Sequence, residues 1–89
     1  MKSRALKPFW DCFDALPSDV QALAREAFAL WQDNPRHPSL HFKRVHSDAP
    51  LCSVRIGKYW RALGFREGDT VTWFWIGTHA EYDKRLARL

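Results

Sequence analysis

The chain has 89 residues, 46% apolar and 27% charged, which leaves room for one hydrophobic core, expected as a single domain over 1–89, and is too apolar for a disordered chain. No apolar run approaches the ~20 residues of a membrane helix. Cys12 and Cys52 form no Cys-x-x-Cys pair, which argues against a disulfide framework or a thiolate zinc site. Fourteen Lys and Arg against ten Asp and Glu leave a formal charge of +4, an excess that favours an anionic partner, nucleic acid or acidic protein.

Met1-Lys2-Ser3-Arg4 has the basic start of a secretion signal, but Lys7 and Pro8 interrupt it before an apolar stretch forms. The expected location is therefore the cytoplasm, with both thiols reduced. Lys2 to Lys7 is compatible with a short edge strand. Phe9 to Leu16 reads as a short helix that stops at Pro17, with Pro8 tolerated near its start. Ser18 and Gln21 have the spacing of a capping box, and Val20, Leu23, Ala24, Ala27, Phe28 and Trp31 follow on one helical stripe. An amphipathic helix is expected from Ser18 to Asn34, where Pro35 restricts the residue before it.

The periodicity then changes. Leu40 to His46 alternates as a strand, and Ser47 to Pro50 reads as a turn. Leu51 to Phe65 reads as one long strand, bent or bulged at Gly57-Lys58. Arg66-Glu67-Gly68-Asp69 is a hairpin turn. Thr70 to Gly77 is apolar on both faces, as a central strand is, and assigns Trp73, Phe74 and Trp75 to the core. Ala80 to Leu89 is helix-compatible, with Tyr82, Leu86 and Leu89 at i, i+4 and i+7. The order of elements predicts an α+β domain, with helices on one face of a curved, mainly antiparallel sheet.

Few residues carry a chemical signal. His37, His41 and His46 match no metal-ligand spacing, and no glycine-rich phosphate loop is present, so neither metal nor cofactor is expected. The strand half holds a cationic set: His41, Lys43, Arg44, His46, Arg55, Lys58, Arg61 and Arg66. By composition alone this is a solvated sheet face. Guanidinium groups also suit phosphate, because they offer a forked pair of donors and stay charged. On one unbroken strand Arg55 and Arg61 would share a face about 20 Å apart at ~3.3 Å per residue. His79 falls where the most apolar strand gives way to the last helix, a rim position suited to proton transfer or to a helix-start hydrogen bond.

Three segments carry a resemblance: Asn34 to Lys43, Ser53 to Leu63 and Thr72 to Asp83. In that order they resemble the RelE/ParE superfamily of toxins from type II toxin–antitoxin systems. The resemblance implies a microbial-ribonuclease-like fold with two N-terminal helices on a four-stranded, mainly antiparallel sheet, and a short C-terminal helix. It also implies a cognate antitoxin as partner and one of two activities. RelE-like members cut messenger RNA on the ribosome as metal-independent endoribonucleases and so inhibit translation. ParE-like members poison DNA gyrase without hydrolysis. The first is expected here, with a non-toxic nucleic-acid- or protein-binding relative as a further alternative. Under it, Arg61 and Arg55 match family arginines that stabilise phosphate charge, and His79 takes the place of the general acid. Tyr82 matches a tyrosine that positions or stacks the substrate. Lys43, Arg44, Lys58, His41 and His46 are the expected substrate-binding set. The lysine pair of some RelE-like enzymes is missing ahead of Arg55, which leaves the general base among Lys43, His41 and His46.

Overall fold

The structure, a computed structural model, describes residues 1–89. In chain order these form β1 (Lys2–Ala5), α1 (Lys7–Asp14), α2 (Ser18–Asp33), a 3-10 turn at Pro38–Leu40, β2 (Lys43–Arg44), β3 (Leu51–Ile56), β4 (Trp60–Glu67), β5 (Thr70–Thr78) and α3 (His79–Ala87). The sheet has five strands in the order β1-β5-β4-β3-β2. β1 runs parallel to β5 and every other pair is antiparallel. The α+β class is as expected, with β1 as a fifth strand. No helix is long and apolar enough to cross a membrane.

Helices cover both faces of the sheet rather than one. On the first face Phe9 and Phe13 of α1 and Ala24 and Trp31 of α2 pack with Cys52, Val54, Ile56, Ala62, Val71, Trp73 and Ile76. On the second, Tyr82 of α3 closes over Leu51, Leu63 and Trp75, with Leu86 at the margin. The register slips between Leu63 and Gly64, so that Leu63 faces Trp75 while Gly64 faces Trp73. Phe74 is the extra residue of this bulge. It joins Trp75 against the second cluster but is only half-buried, stacked on exposed Phe65 at 4.8 Å. The bulge is why β5 reads as apolar on both faces. It also requires a glycine at position 64, where a Cβ would lie 2.8 Å from Val71 and 3.0 Å from the Thr72 carbonyl oxygen.

Four local readings change. The capping box at Ser18 does not form. Pro17 is the N-cap, and Gln21 Nε2 instead donates to the Phe13 carbonyl at 2.9 Å, tying α2 to α1. Leu40 to His46 is not a strand. His37 accepts from the Ser39 amide and starts a 3-10 turn, and His41 ends it in the left-handed region at φ 44°, leaving only Lys43–Arg44 to pair with β3. Leu51 to Phe65 is a hairpin rather than one strand, because Gly57 at φ 59° turns the chain back through Lys58 and Tyr59. The first helix begins at Lys7, two residues earlier than expected.

Cys52 is buried with its thiol 3.4 Å from the Gly64 carbonyl oxygen, and burial pushes its pKa up to about 11. The unfolded thiol ionises first, so stability falls as pH rises from about 9 towards 11. Over that window wild type is expected to lose up to ~1.4 kcal/mol per pH unit more than Cys52→Ala. Urea unfolding of both across the window checks this, and parallel pH profiles would refute it.

Candidate functional site

The hairpin sets Arg55 directly opposite Arg61, and Arg61 directly opposite Gly77 on the next strand. Cross-strand partners share a face. Arg55, Arg61 and Gly77 therefore form one row on the α3 side of the sheet, beside the row Ser53–Leu63–Trp75. The expected ~20 Å separation is replaced by the spacing of directly opposed residues, roughly 5 Å between backbones.

Each guanidinium is held by the hairpin's own backbone. Arg55 Nε donates to the Gly57 carbonyl at 3.0 Å, and Arg61 Nη1 donates to the Trp60 carbonyl at 2.7 Å. Neither has a carboxylate partner: the ion pairs of the chain are Lys7–Asp11 and His79–Asp83. Partial burial, and then the like charge of Arg55, lower the pKa of Arg61, while Tyr82 and Asp83 act in the opposite sense. Two cations left opposed without a counter-ion destabilise a sheet.

β5 then delivers His79 to the same end of this face. Thr78 lies opposite Trp60, and the His79 amide donates to the Tyr59 carbonyl at 2.7 Å. The Thr78 side chain accepts from the Glu81 amide and bonds the Glu81 carboxylate at 2.9 Å, a complete capping box that starts α3 at His79. The imidazole stacks on Tyr82 with ring centres 6.1 Å apart, and Nε2 lies 3.5 Å from Asp83 Oδ1, both groups being exposed. Tyr82 is 7% exposed and donates its phenol proton to Ser53 Oγ at 3.1 Å. The tyrosine therefore supports the imidazole from below and offers little surface for stacking a substrate.

The backbones of His79, Arg61, Arg55 and Tyr82 thus meet at one end of one face, the shelf, while Arg55 also lines a hollow at the sheet edge with Leu23, Glu26 and Leu30 of α2. The expected substrate-binding residues divide. Lys43 pairs with Ser53 and lies on the shelf's own face, and Lys58 stands in the hairpin turn over the Tyr59 ring. Arg44 pairs with Cys52 and bends back to the carbonyls of His46 and Ser47. His46 lines a separate groove between α3 and the sheet, with Leu51, Phe65 and Arg85. His41 is exposed at the end of the 3-10 turn. Sequence reasoning missed Ser53 and Asp83. Asp83 is legible at i+4 from His79. Ser53 is two residues from Arg55, a same-face spacing, but a serine on a strand carries no signal until its partner on α3 is known.

No curated protein matches the chain in sequence. Solved structures share its fold at low identity. A chain of the RelB–RelE antitoxin–toxin complex from Methanococcus jannaschii is similar at 13% identity and TM-score 0.72, covering 92% of this chain and 96% of that one. One from the toxin–antitoxin complex RelBE2 of Mycobacterium tuberculosis is similar at 20% identity and TM-score 0.70, covering 88% and 96%. YafQ from E. coli is similar at 10% identity and TM-score 0.72, covering 91% and 96%. The sequence model of the ParE-like toxin domain matches residues 18–84, from the start of α2 to within α3, and the chain belongs to that toxin family.

Proposed function

We propose that this toxin is a metal-independent endoribonuclease that cuts messenger RNA on the ribosome and so inhibits translation in the cytoplasm, with a cognate antitoxin as its resting partner. The observation that carries the reading is the opposed, unpaired Arg55–Arg61 couple at the foot of His79. Like charges left facing each other are costly unless an anion bridges them, and a phosphodiester has the charge and the acceptor geometry to do so. The ribose 2′-hydroxyl attacks the adjacent phosphorus, forming the P–O2′ bond, while the P–O5′ bond breaks. The products are a 2′,3′-cyclic phosphate and a 5′-hydroxyl. The two guanidiniums stabilise the charge that builds on the phosphoryl oxygens, and the His79 imidazolium gives its proton to the departing 5′-oxygen. The attacking 2′-hydroxyl gives its proton to a base, for which Lys43 is the candidate on the face of the shelf. The similar structures from M. jannaschii and M. tuberculosis are toxin–antitoxin complexes, which supports an antitoxin partner here.

Induced expression with transcript mapping tests the reading. Wild type is expected to stop growth and leave cleaved transcripts. His79→Ala is expected to lose cleavage by roughly 10²–10⁴-fold, the contribution of a positioned general acid, while its circular dichroism stays that of wild type. DNA breaks with intact transcripts, and toxicity that survives His79→Ala, would replace this reading with gyrase poisoning, the activity implied for ParE-like members.

A further inference from the structure

A basic hollow lies at the β2 end of the sheet, away from the imidazole. It has a volume of about 360 Å³ and is lined by Lys43, Arg44 and Arg66 over a floor that includes Phe42, Pro50 and Leu51. None of its three cations has a carboxylate partner. Both arginines are held in place by backbone carbonyls. Arg44 Nε and Nη2 donate to His46 and Ser47 at 2.9 and 3.0 Å, which leaves Nη1 free. Arg66 Nε donates to Gly68 at 3.2 Å and its guanidinium lies over the Phe42 ring, which leaves both terminal nitrogens free. Long cationic side chains on a surface are usually mobile, and ordering them costs conformational entropy on binding. Here that ordering is already supplied by the fold.

We infer that this hollow binds a phosphodiester of single-stranded RNA, with the flanking nucleoside against the apolar floor. The choice of RNA rests on the ribonuclease reading above and on continuity with the shelf. Lys43 lies opposite Ser53, which shares its face with Arg55 and Arg61. Arg66 is five residues along β4 from Arg61, roughly 16 Å at ~3.3 Å per residue, a reach of a few nucleotides; the odd spacing places it with Val71 on the opposite face, where Arg44 pairs with Cys52. A strand gripped at both places passes round the β2 edge of the sheet, where Lys43 and Arg44 belong to opposite faces, with the scissile phosphate at the arginine couple and a non-reacting phosphate in the hollow. Such a remote grip holds the strand in register for the reaction.

The test uses the full-length protein and a short dye-labelled 2′-O-methyl RNA, which has no 2′-hydroxyl and is not cleaved. Binding is therefore read independently of catalysis, and it stands even if transcripts prove intact. Arg44→Gln with Arg66→Gln is expected to weaken binding about tenfold and to flatten the salt dependence by about 0.7 in log–log slope, the value for the one single-strand phosphate that the variant no longer neutralises. Arg4→Gln with Arg25→Gln, on β1 and α2, removes the same net charge elsewhere and is expected to leave the slope unchanged. Thermal melts of both double variants confirm folding. If the Arg66 change unfolds the chain, Arg44→Gln alone replaces it, with weakened binding and a flatter slope still expected. Equal losses in the two double variants would reduce the effect to net charge and overturn the proposal. So would unchanged RNA binding alongside lost binding of an acidic peptide, which would make the hollow a protein-docking site.

Discussion

Replacing Trp31 by alanine is expected to lower the unfolding free energy by about 3–5 kcal/mol, the usual loss for a fully buried large aromatic residue. The whole chain should hold only roughly 4–13 kcal/mol at this length, so the variant sits at the edge of unfolding. Trp31 is 1% exposed and lies where three elements meet. Its ring centre is 5.5 Å from Trp73 on β5, 5.6 Å from Phe42 ahead of β2 and 6.3 Å from Phe28 on its own helix, each pair edge-to-face. Removing the indole opens a cavity between α2 and the sheet and releases Phe42, which carries the basic hollow. Trp31→Phe is expected to cost much less. It keeps an aromatic ring in place and removes a buried indole N–H that has no hydrogen-bond partner. Urea unfolding followed by far-UV circular dichroism measures both. A loss under about 1 kcal/mol in the alanine variant would mean that the site collapses freely and that Trp31 is not the pillar of the core.

The apolar stripe that contains Trp31 is legible because helix periodicity and burial agree at Val20, Ala24 and Trp31. Leu23, placed on the same stripe, is 42% exposed beside the Gly57 turn, since α2 stops covering the sheet where the hairpin reverses. The reversal itself was hidden. Alternation continues in residue type on either side of Gly57-Lys58, so a bend and a full turn look alike in sequence, and only the pairing of Ile56 with Trp60 separates them. The consequence for the site is large. Six residues along a strand are far apart, whereas three on each side of a tight turn are neighbours. His79 was legible for a different reason. It falls where a strand rich in β-branched and aromatic residues gives way to the last helix, and the structure adds a capping box at Thr78 and Glu81 that starts this helix at His79 rather than Ala80. The strand proposed over Leu40 to His46 failed because a local hydrogen bond from the Ser39 amide to His37, in a segment stiffened by proline, prevailed over alternation.

Arg61→Gln is expected to separate stability from activity. In the folded chain the charged guanidinium is disfavoured, first by partial burial and then by Arg55, and its pKa falls. A cationic group whose folded pKa is lowered opposes folding wherever it is protonated, which covers the whole working pH range. Glutamine keeps much of the stem and an N–H donor for the Trp60 carbonyl but removes the charge. The variant should therefore be no less stable than wild type, and up to about 1 kcal/mol more stable as the cross-strand repulsion is relieved. Transcript cleavage should fall by roughly 10²–10³-fold, the loss for one group aimed at a developing oxyanion. Arg61→Lys restores the charge but not the forked donor pair, and should recover only part of the activity. Calorimetric melting and transcript mapping on the same preparations read the two effects side by side. A guanidinium placed only to hold the hairpin would give the reverse pattern, with a lower melting temperature and cleavage that tracks the folded fraction. The two patterns differ in the sign of the stability change, so one pair of measurements distinguishes an anion-binding couple from a structural one.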